Sequence, residues 1–267
     1  MPAQDQLFDP RLGRLRRERA ARSGGDLYLH RRAEDELIER LDLVARPFCA
    51  ALDLSLGSTL AARLRERGIE VVEGKEEDLP GAAGAFDLVT SVGLIDTVND
   101  LPGALALIRR ALKPDGLFLA AFAGAGSLPR LRRAMRAAEE AEGVGAAPRI
   151  HPQIDVRAAG DLLVRAGFAL PVVDRDVVEV RYADLMQLVR DLRAMAATNR
   201  LAARSARPFG RTGLAAAAAD FSDPGGRTAE RFEIVHLSGW APGPGQPQPA
   251  RRGSGTASLT DALKPKD

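Results

Sequence analysis

The stretch FCAALDLSLGSTLAARLRERG, residues 48–68, decides how the rest of the chain is read. FCAALDL is an apolar run of strand length with one acid, Asp53, inside it. Such a run, bounded by turn residues, reads as a buried strand. A single glycine, Gly57, follows, and Ser58 or Thr59 is placed to cap a helix whose Leu60 and Leu64 face inward and which Gly68 stops. Strand, glycine-bearing loop and amphipathic helix in that order form the opening of a nucleotide-binding α/β sheet, where glycine lets the backbone turn tightly beside a ligand.

Working outward, apolar runs continue to alternate with helical patterns, which predicts βα units and a largely parallel sheet. IEVV (69–72), FDLVTSV (86–92), LFLAAF (117–122), VVDRDVVEVRY (172–182) and FEIVHLSGW (232–240) read as strands. LPGALALIRRAL (101–112) and DVRAAGDLLVRAGF (155–168) read as helices, as do 183–199 and 211–222, and KPDG reads as a turn with Pro114 at its second position. Upstream, residues 8–47 carry apolar residues at helical spacing, with Leu37, Ile38, Leu41 and Leu43, together with Val44, on one apolar face of a helix that ends before Pro47. From 241 the composition turns to Pro, Gly, Ser, Arg and Gln, which predicts a disordered or extended tail. The expected organisation is a helical segment 1–47, a domain 48–240 with a helical insertion 183–222, and a flexible tail 241–267.

Composition excludes more than it identifies. With 38 basic and 36 acidic residues the formal charge is +2, so no polyanion partner is indicated. The most basic run, RLGRLRRERAARSGG (11–25), has no aromatic residue for stacking on bases and reads as a solvated helix face. Nucleic acid is therefore not expected, although peripheral contact with a membrane through 11–22 is compatible with the charge. No signal sequence and no transmembrane segment are expected. The one cysteine, Cys49, begins an apolar run and is expected to be a buried thiol, which fits a reducing, cytoplasmic compartment. His30, His151 and His236 lie far apart with no metal-ligand spacing, so no metal site is expected.

The loop LDLSLGS resembles that of the class I S-adenosylmethionine-dependent methyltransferases, which usually reads L-D-L-G-x-G-x-G. Ser55, Gly57 and Thr59 stand at the glycine positions. The likeness extends through FDLV, VNDLPGAL, LKPDG, RAGFALPVVD and SGWAP...ARRGSG, from about residue 7 to about 258. These motifs are similar to those of bacterial relatives of a mitochondrial complex I assembly factor of methyltransferase fold, linked to arginine hydroxylation of a complex I subunit. The resemblance implies a three-layer α/β sandwich of Rossmann-like type, a seven-stranded sheet with its last strand antiparallel, bound S-adenosylmethionine, and a protein substrate or assembly partner.

Three departures qualify what the resemblance implies. Ser55 and Thr59 replace glycines, and wherever positive φ is needed a Cβ costs ~1–2 kcal/mol. Between LGST and FDLV there is room for one helix and one strand, so about one βα unit is missing. Asp96 and Thr97 stand where the family often has a His-Trp pair. The acid ending the second strand normally grips the cofactor's ribose, and Glu73, 20 positions after Asp53, has about the spacing such folds use. EEDLP, however, resembles the loop after the family's third strand, and in that register no ribose acid is left and Lys75 would face the adenine.

The expected cofactor residues are thus Asp53, Ser55, Gly57, Glu73 and Ser91. Asp53 reads as support for the loop, and Ser91 lies at the strand end that meets a ligand. Asp96 reads either as a general base or as a helix-capping acid. No catalytic residue is nominated. A cofactor held at about 1 µM is bound by about 8 kcal/mol. Loss of a charge-assisted pair removes roughly 1.5–3 kcal/mol, and the glycine replacements ~1–4, which leaves binding high-micromolar to millimolar. Two functions follow: a methyltransferase acting on a protein, plausibly a complex I subunit, and a non-catalytic assembly or scaffold protein of the same fold.

Overall fold

A computed structural model describes residues 6–55, 59–74, 83–205 and 207–247. Two helices, α1 (Pro10–Ser23) and α2 (Tyr28–Asp42), lead into β1 (Ala50–Asp53), α3 (Leu60–Glu66), β2 (Glu70–Glu73) and β3 (Phe86–Val92). Then come α4 (Leu101–Ala111), β4 (Leu112–Ala123), α5 (Pro129–Ala141), α6 (Val156–Ala166), β5 (Ala169–Tyr182), α7 (Leu185–Ala194), α8 (Arg211–Phe221) and β6 (Thr228–Trp240). The sheet order is β2-β1-β3-β4-β6-β5. β2, β1, β3 and β4 are parallel, and β6 runs antiparallel between β4 and β5.

Alternation along the strands builds the layers. In β4, Leu117, Leu119 and Ala121 face a core shared with Leu37, Ile38 and Leu41 of α2 and Leu60 and Leu64 of α3. Phe118, Ala120 and Phe122 face the opposite core, with Leu105 and Ile108 of α4 and Leu163 of α6. Period-two side chains with helices on both faces make a three-layer sandwich. A third apolar cluster joins α5, α7 and α8 to the β5–β6 end. Arg40 of α2 ties that helix to β5, 2.7 Å from Asp174, while also 2.8 Å from Glu36.

Local chemistry sets the boundaries. Asp9 caps α1 at 3.1 Å from the Leu12 amide. Gly24, at φ 61, ends α1, so the single helical pattern read over 8–47 is two helices meeting at a Gly-Gly corner packed against Ala194. Asp155 caps α6, and Gly167 closes it at φ 82. KPDG is a bulge inside β4, where pairing jumps from Phe86–Leu112 to Leu88–Leu117 and Asp115 takes φ 61.

Three expectations change. Leu43, read as part of the inward apolar face, lies just past the end of α2 and is 85% exposed. Cys49 is exposed. It precedes β1 at the amino edge, where its backbone N–H donates to Asp87 Oδ1 at 3.0 Å. Thr59 does cap α3 in position, but its hydroxyl does not bond its own helix; it donates to Glu34 of α2. Among the described residues the sheet has six strands, and β2 pairs directly with β1, Asp53 beside Glu73. In space β2 therefore holds the second strand's place, and the outer strand is the one not seen. The segment EEDLP (76–80) lies outside the described residues, as do Gly57 and Lys75.

Candidate functional site

Strand order reverses between β1 and β3, and ligands of open α/β sheets bind beyond the carboxyl ends at that point. Asp53 ends β1 there, 4% exposed. Its Oδ1 accepts from the Ser55 hydroxyl at 2.6 Å, the Ser55 amide at 3.2 Å and the Thr90 hydroxyl at 2.8 Å. Burial pushes the carboxyl up, and the Ser55 and Thr90 bonds oppose that shift. The Ser55 hydroxyl also accepts from the Val92 amide at 2.9 Å, so it staples the end of β1 to the end of β3.

The helix start beyond the loop is likewise taken by the protein. Glu34, 1% exposed, accepts from the Thr59 hydroxyl at 2.6 Å and amide at 3.2 Å, and burial raises its carboxyl too. The protein's own carboxylate thus occupies the positive end of α3. Glu73 ends β2 in register with Asp53, but its carboxylate is 60% exposed and 2.8 Å from Arg65. Ser91 is fully buried, its hydroxyl without a partner, on the face of β3 that carries Val89. Gly57, the remaining cofactor candidate, lies outside the described residues.

The open space lies one strand further along. A cavity of about 260 Å³ sits at the ends of β3 and β4, walled mainly by apolar side chains of α2, α5, α7 and β6. Its polar wall includes His30, Asp96, Arg149, His151 and Arg200. Asp53, Ser55, Glu73 and Ser91 are not in that wall. His30 hangs from α2 against Gly93, which has φ 69; a Cβ there would lie 2.9 Å from the imidazole Nε2. Burial lowers the His30 imidazole to about 4. His151 also falls to about 4, through burial first and then the charges of Arg200 and Arg16. Its Nε2 accepts from the Arg200 amide at 2.9 Å, and its ring meets Phe8 edge-on at 5.1 Å. Arg200 is pinned across the site by a 2.8 Å bond to the Thr97 carbonyl.

Two neutral imidazoles and one carboxylate on an apolar wall can orient a ligand and move a proton. Sequence reasoning separated His30 from His151 and missed their meeting; no local signal connects residues that far apart. Among the described residues no cluster of His, Cys, Asp or Glu could hold a metal, and no helix is long and apolar enough to cross a membrane.

For S-adenosylmethionine the described loop is a poor fit. The Asp53, Ser55 and Thr59 groups are bonded to one another or to Glu34, and Glu73 is turned to the surface by Arg65.

A mostly parallel sheet with one antiparallel strand slotted in beside the last, and its cavity at the carboxyl edge, defines a class I methyltransferase fold. Residues 38–120 match the methyltransferase domain family. The arginine-hydroxylase NDUFAF5 of zebrafish mitochondria is 36% identical over 265 residues, covering 89% of this chain and 82% of that protein. A malonyl-[acyl-carrier protein] O-methyltransferase of Laribacter hongkongensis is 32% identical over 216 residues, covering 80% and 71%. Among solved structures, the YcgJ protein of Bacillus subtilis is 12% identical with a TM-score of 0.49, covering 80% and 99%. The chain belongs to the NDUFAF5 family of methyltransferase-fold proteins.

Proposed function

We propose that this chain is an assembly factor that acts on a protein partner, with a respiratory complex I subunit as the expected target and the cytoplasm as its compartment. Its working site is the carboxyl-edge cavity rather than the glycine loop. One contrast carries this reading: His30, Asp96 and His151 line an open cavity, whereas Asp53, Ser55 and Thr59, the described polar groups around the loop, are bonded to one another or to Glu34. The relative's name, arginine-hydroxylase, supports action on a protein side chain.

A second reading, methyl transfer from S-adenosylmethionine to that partner, is favoured by the place of Glu73. It ends β2 beside Asp53, and its ion pair with Arg65 is exposed, so releasing it costs at most about 1 kcal/mol.

Two variants separate the readings when complex I assembly is measured in cells lacking the native gene. Ala123→Phe fills the cavity wall and is expected to abolish assembly; Glu73→Gln is expected to leave it intact. The opposite pattern would overturn the cavity reading in favour of methyl transfer. Calorimetric titration with S-adenosylmethionine is expected to show no saturable binding below about 0.1 mM, the limit set by the smallest losses around the loop.

A further inference from the structure

Hydrogen bonds and ion pairs account for the polar side chains of the cavity wall, with one exception. Arg149 is 2.7 Å from Glu139, Glu233 is 3.0 Å from Arg175, and Gln153 accepts from Arg132. The Thr97 hydroxyl donates to the Leu94 carbonyl at 2.7 Å, and Asn199 Nδ2 donates to the Pro148 carbonyl at 2.8 Å. The Thr198 hydroxyl accepts from Arg16, His151 takes the Arg200 amide, and Arg200 takes the Thr97 carbonyl. Asp96 is engaged as well. Among the described residues His30 alone in this wall has no hydrogen-bond partner, and its Nδ1 is buried.

The imidazole is seated where it is because Gly93 has no side chain; a Cβ there would lie 2.9 Å from Nε2. Held neutral by burial, the ring carries one N–H and one lone pair. A buried polar atom without a partner is costly until something completes it. The charges of the wall give no reason for that partner to be an ion, since Asp96 and Glu233 formally offset Arg149 and Arg200. An ion would also give up its water on entering a mainly apolar crevice. Size narrows the occupant further. An apolar cavity of roughly 150 Å³ takes one benzene, so the 260 Å³ here suits about two fused rings.

We infer that the cavity binds an uncharged, largely apolar small molecule of about two-ring size, anchored through a hydroxyl group to the His30 imidazole. The inference rests on the cavity being the working site and specifies what that site takes. The apolar body lies against Leu131, Met135, Leu192 and Phe232. A hydroxyl both donates and accepts, so it serves either tautomer of the ring. Molecules of the same shape that lack the hydroxyl leave His30 unsatisfied, and those that carry a charge pay for its desolvation.

Equilibrium dialysis of the full chain against naphthol, naphthalene, naphthoate and naphthylmethylamine tests the inference. Naphthol is expected to bind about tenfold more tightly than naphthalene, with the carboxylate and the ammonium weaker than both. His30→Leu is expected to bring naphthol down to the affinity of naphthalene and to leave naphthalene unchanged. His30→Gln, which keeps a donor and an acceptor, is expected to retain most of naphthol's advantage. The melting temperature of unliganded His30→Leu is expected to equal or exceed that of the parent, because an unpartnered buried polar atom is removed. Ala123→Phe is expected to abolish binding of both neutral molecules. Arg133→Gln, whose partner Asp220 lies away from the cavity, is expected to change none of these affinities. Equal affinity for naphthol and naphthalene, tighter binding of either ion, full naphthol affinity in His30→Leu or in Ala123→Phe, or no saturable naphthol binding at about 1 mM would each overturn the inference. If naphthol fails to bind while Ala123→Phe still abolishes assembly, only the ligand class is refuted. Naphthol binding with an Ala123→Phe that is silent in cells refutes the cavity's cellular role instead.

Discussion

Replacing Gly93 with alanine probes the contact that shapes the cavity. Gly93 has φ 69, a left-handed conformation that costs a residue with Cβ about 1–2 kcal/mol wherever it occurs. The added methyl would also sit 2.9 Å from His30 Nε2, closer than Cβ atoms tolerate. Relieving that clash means moving α2 or forcing His30 off its rotamer, and overpacking of this kind costs about 1–3 kcal/mol. Gly93→Ala is therefore expected to lose about 2–5 kcal/mol in a urea titration. In a His30→Ala background only the backbone strain is left, so the same substitution should cost about 1–2 kcal/mol. The two sites should then couple by about 1–3 kcal/mol in a double-mutant cycle. An equal loss in both backgrounds would show that His30 does not rest on Gly93, and the description of the cavity wall would be wrong.

Ser55→Gly restores the family's residue but leaves the Val92 amide without its acceptor and Asp53 without its shortest bond, so it should lower stability by about 1–3 kcal/mol without improving S-adenosylmethionine affinity. Tighter cofactor binding in that variant would count against the poor fit read from the Asp53 and Ser55 bonds. Acidification through the window from 6.5 to about 4 should destabilise the protein, since His30 and His151 bind protons in the unfolded chain before the folded one. Buried Asp53, Glu34 and Glu230, whose carboxyls are raised, act in the opposite direction, so the measurement is the difference from His30→Gln, which should flatten the pH dependence. An unchanged slope would mean His30 is not buried neutral. Cys49 should react with a thiol reagent in the native protein at the rate of a free thiol; labelling that requires denaturant would contradict its exposure.

Much of the sheet was legible because its signals are local. FDLVTSV matches β3 residue for residue, and Asp155 and Gly167 bracket α6 as a cap and a left-handed stop should. α5 was not recognised. Its start has Leu128 at the cap, and the amides of Arg130 and Leu131 are instead served at 3.2 and 2.8 Å by Glu230, which comes from β6. A cap supplied from a distant strand leaves no trace beside the helix. The start of α3, served by Glu34, hides its chemistry in the same way. Cys49 was misjudged because an apolar run does not mark which of its residues precedes the first ladder bond. Asp53, Ser55 and Glu73 could be placed at strand ends from spacing alone. The cavity could not, because His30, Asp96, His151 and Arg200 meet only once the chain has closed around β3 and β4.

The slotting of β6 between β4 and β5 dictates the order in which the molecule can be completed during synthesis. β5 is made before its neighbour exists and must wait, its long edge unpaired, until residues 228–240 arrive to bridge it to β4. Pairing across such sequence distances is slow and leaves strand edges open to wrong partners meanwhile. A chain stopped before Thr228 would therefore lose an inner plank of the sheet, along with Phe232 and Ile234 of the cavity wall, rather than a dispensable margin. Limited proteolysis of nascent chains should find β5 protected only after β6 has emerged from the ribosome.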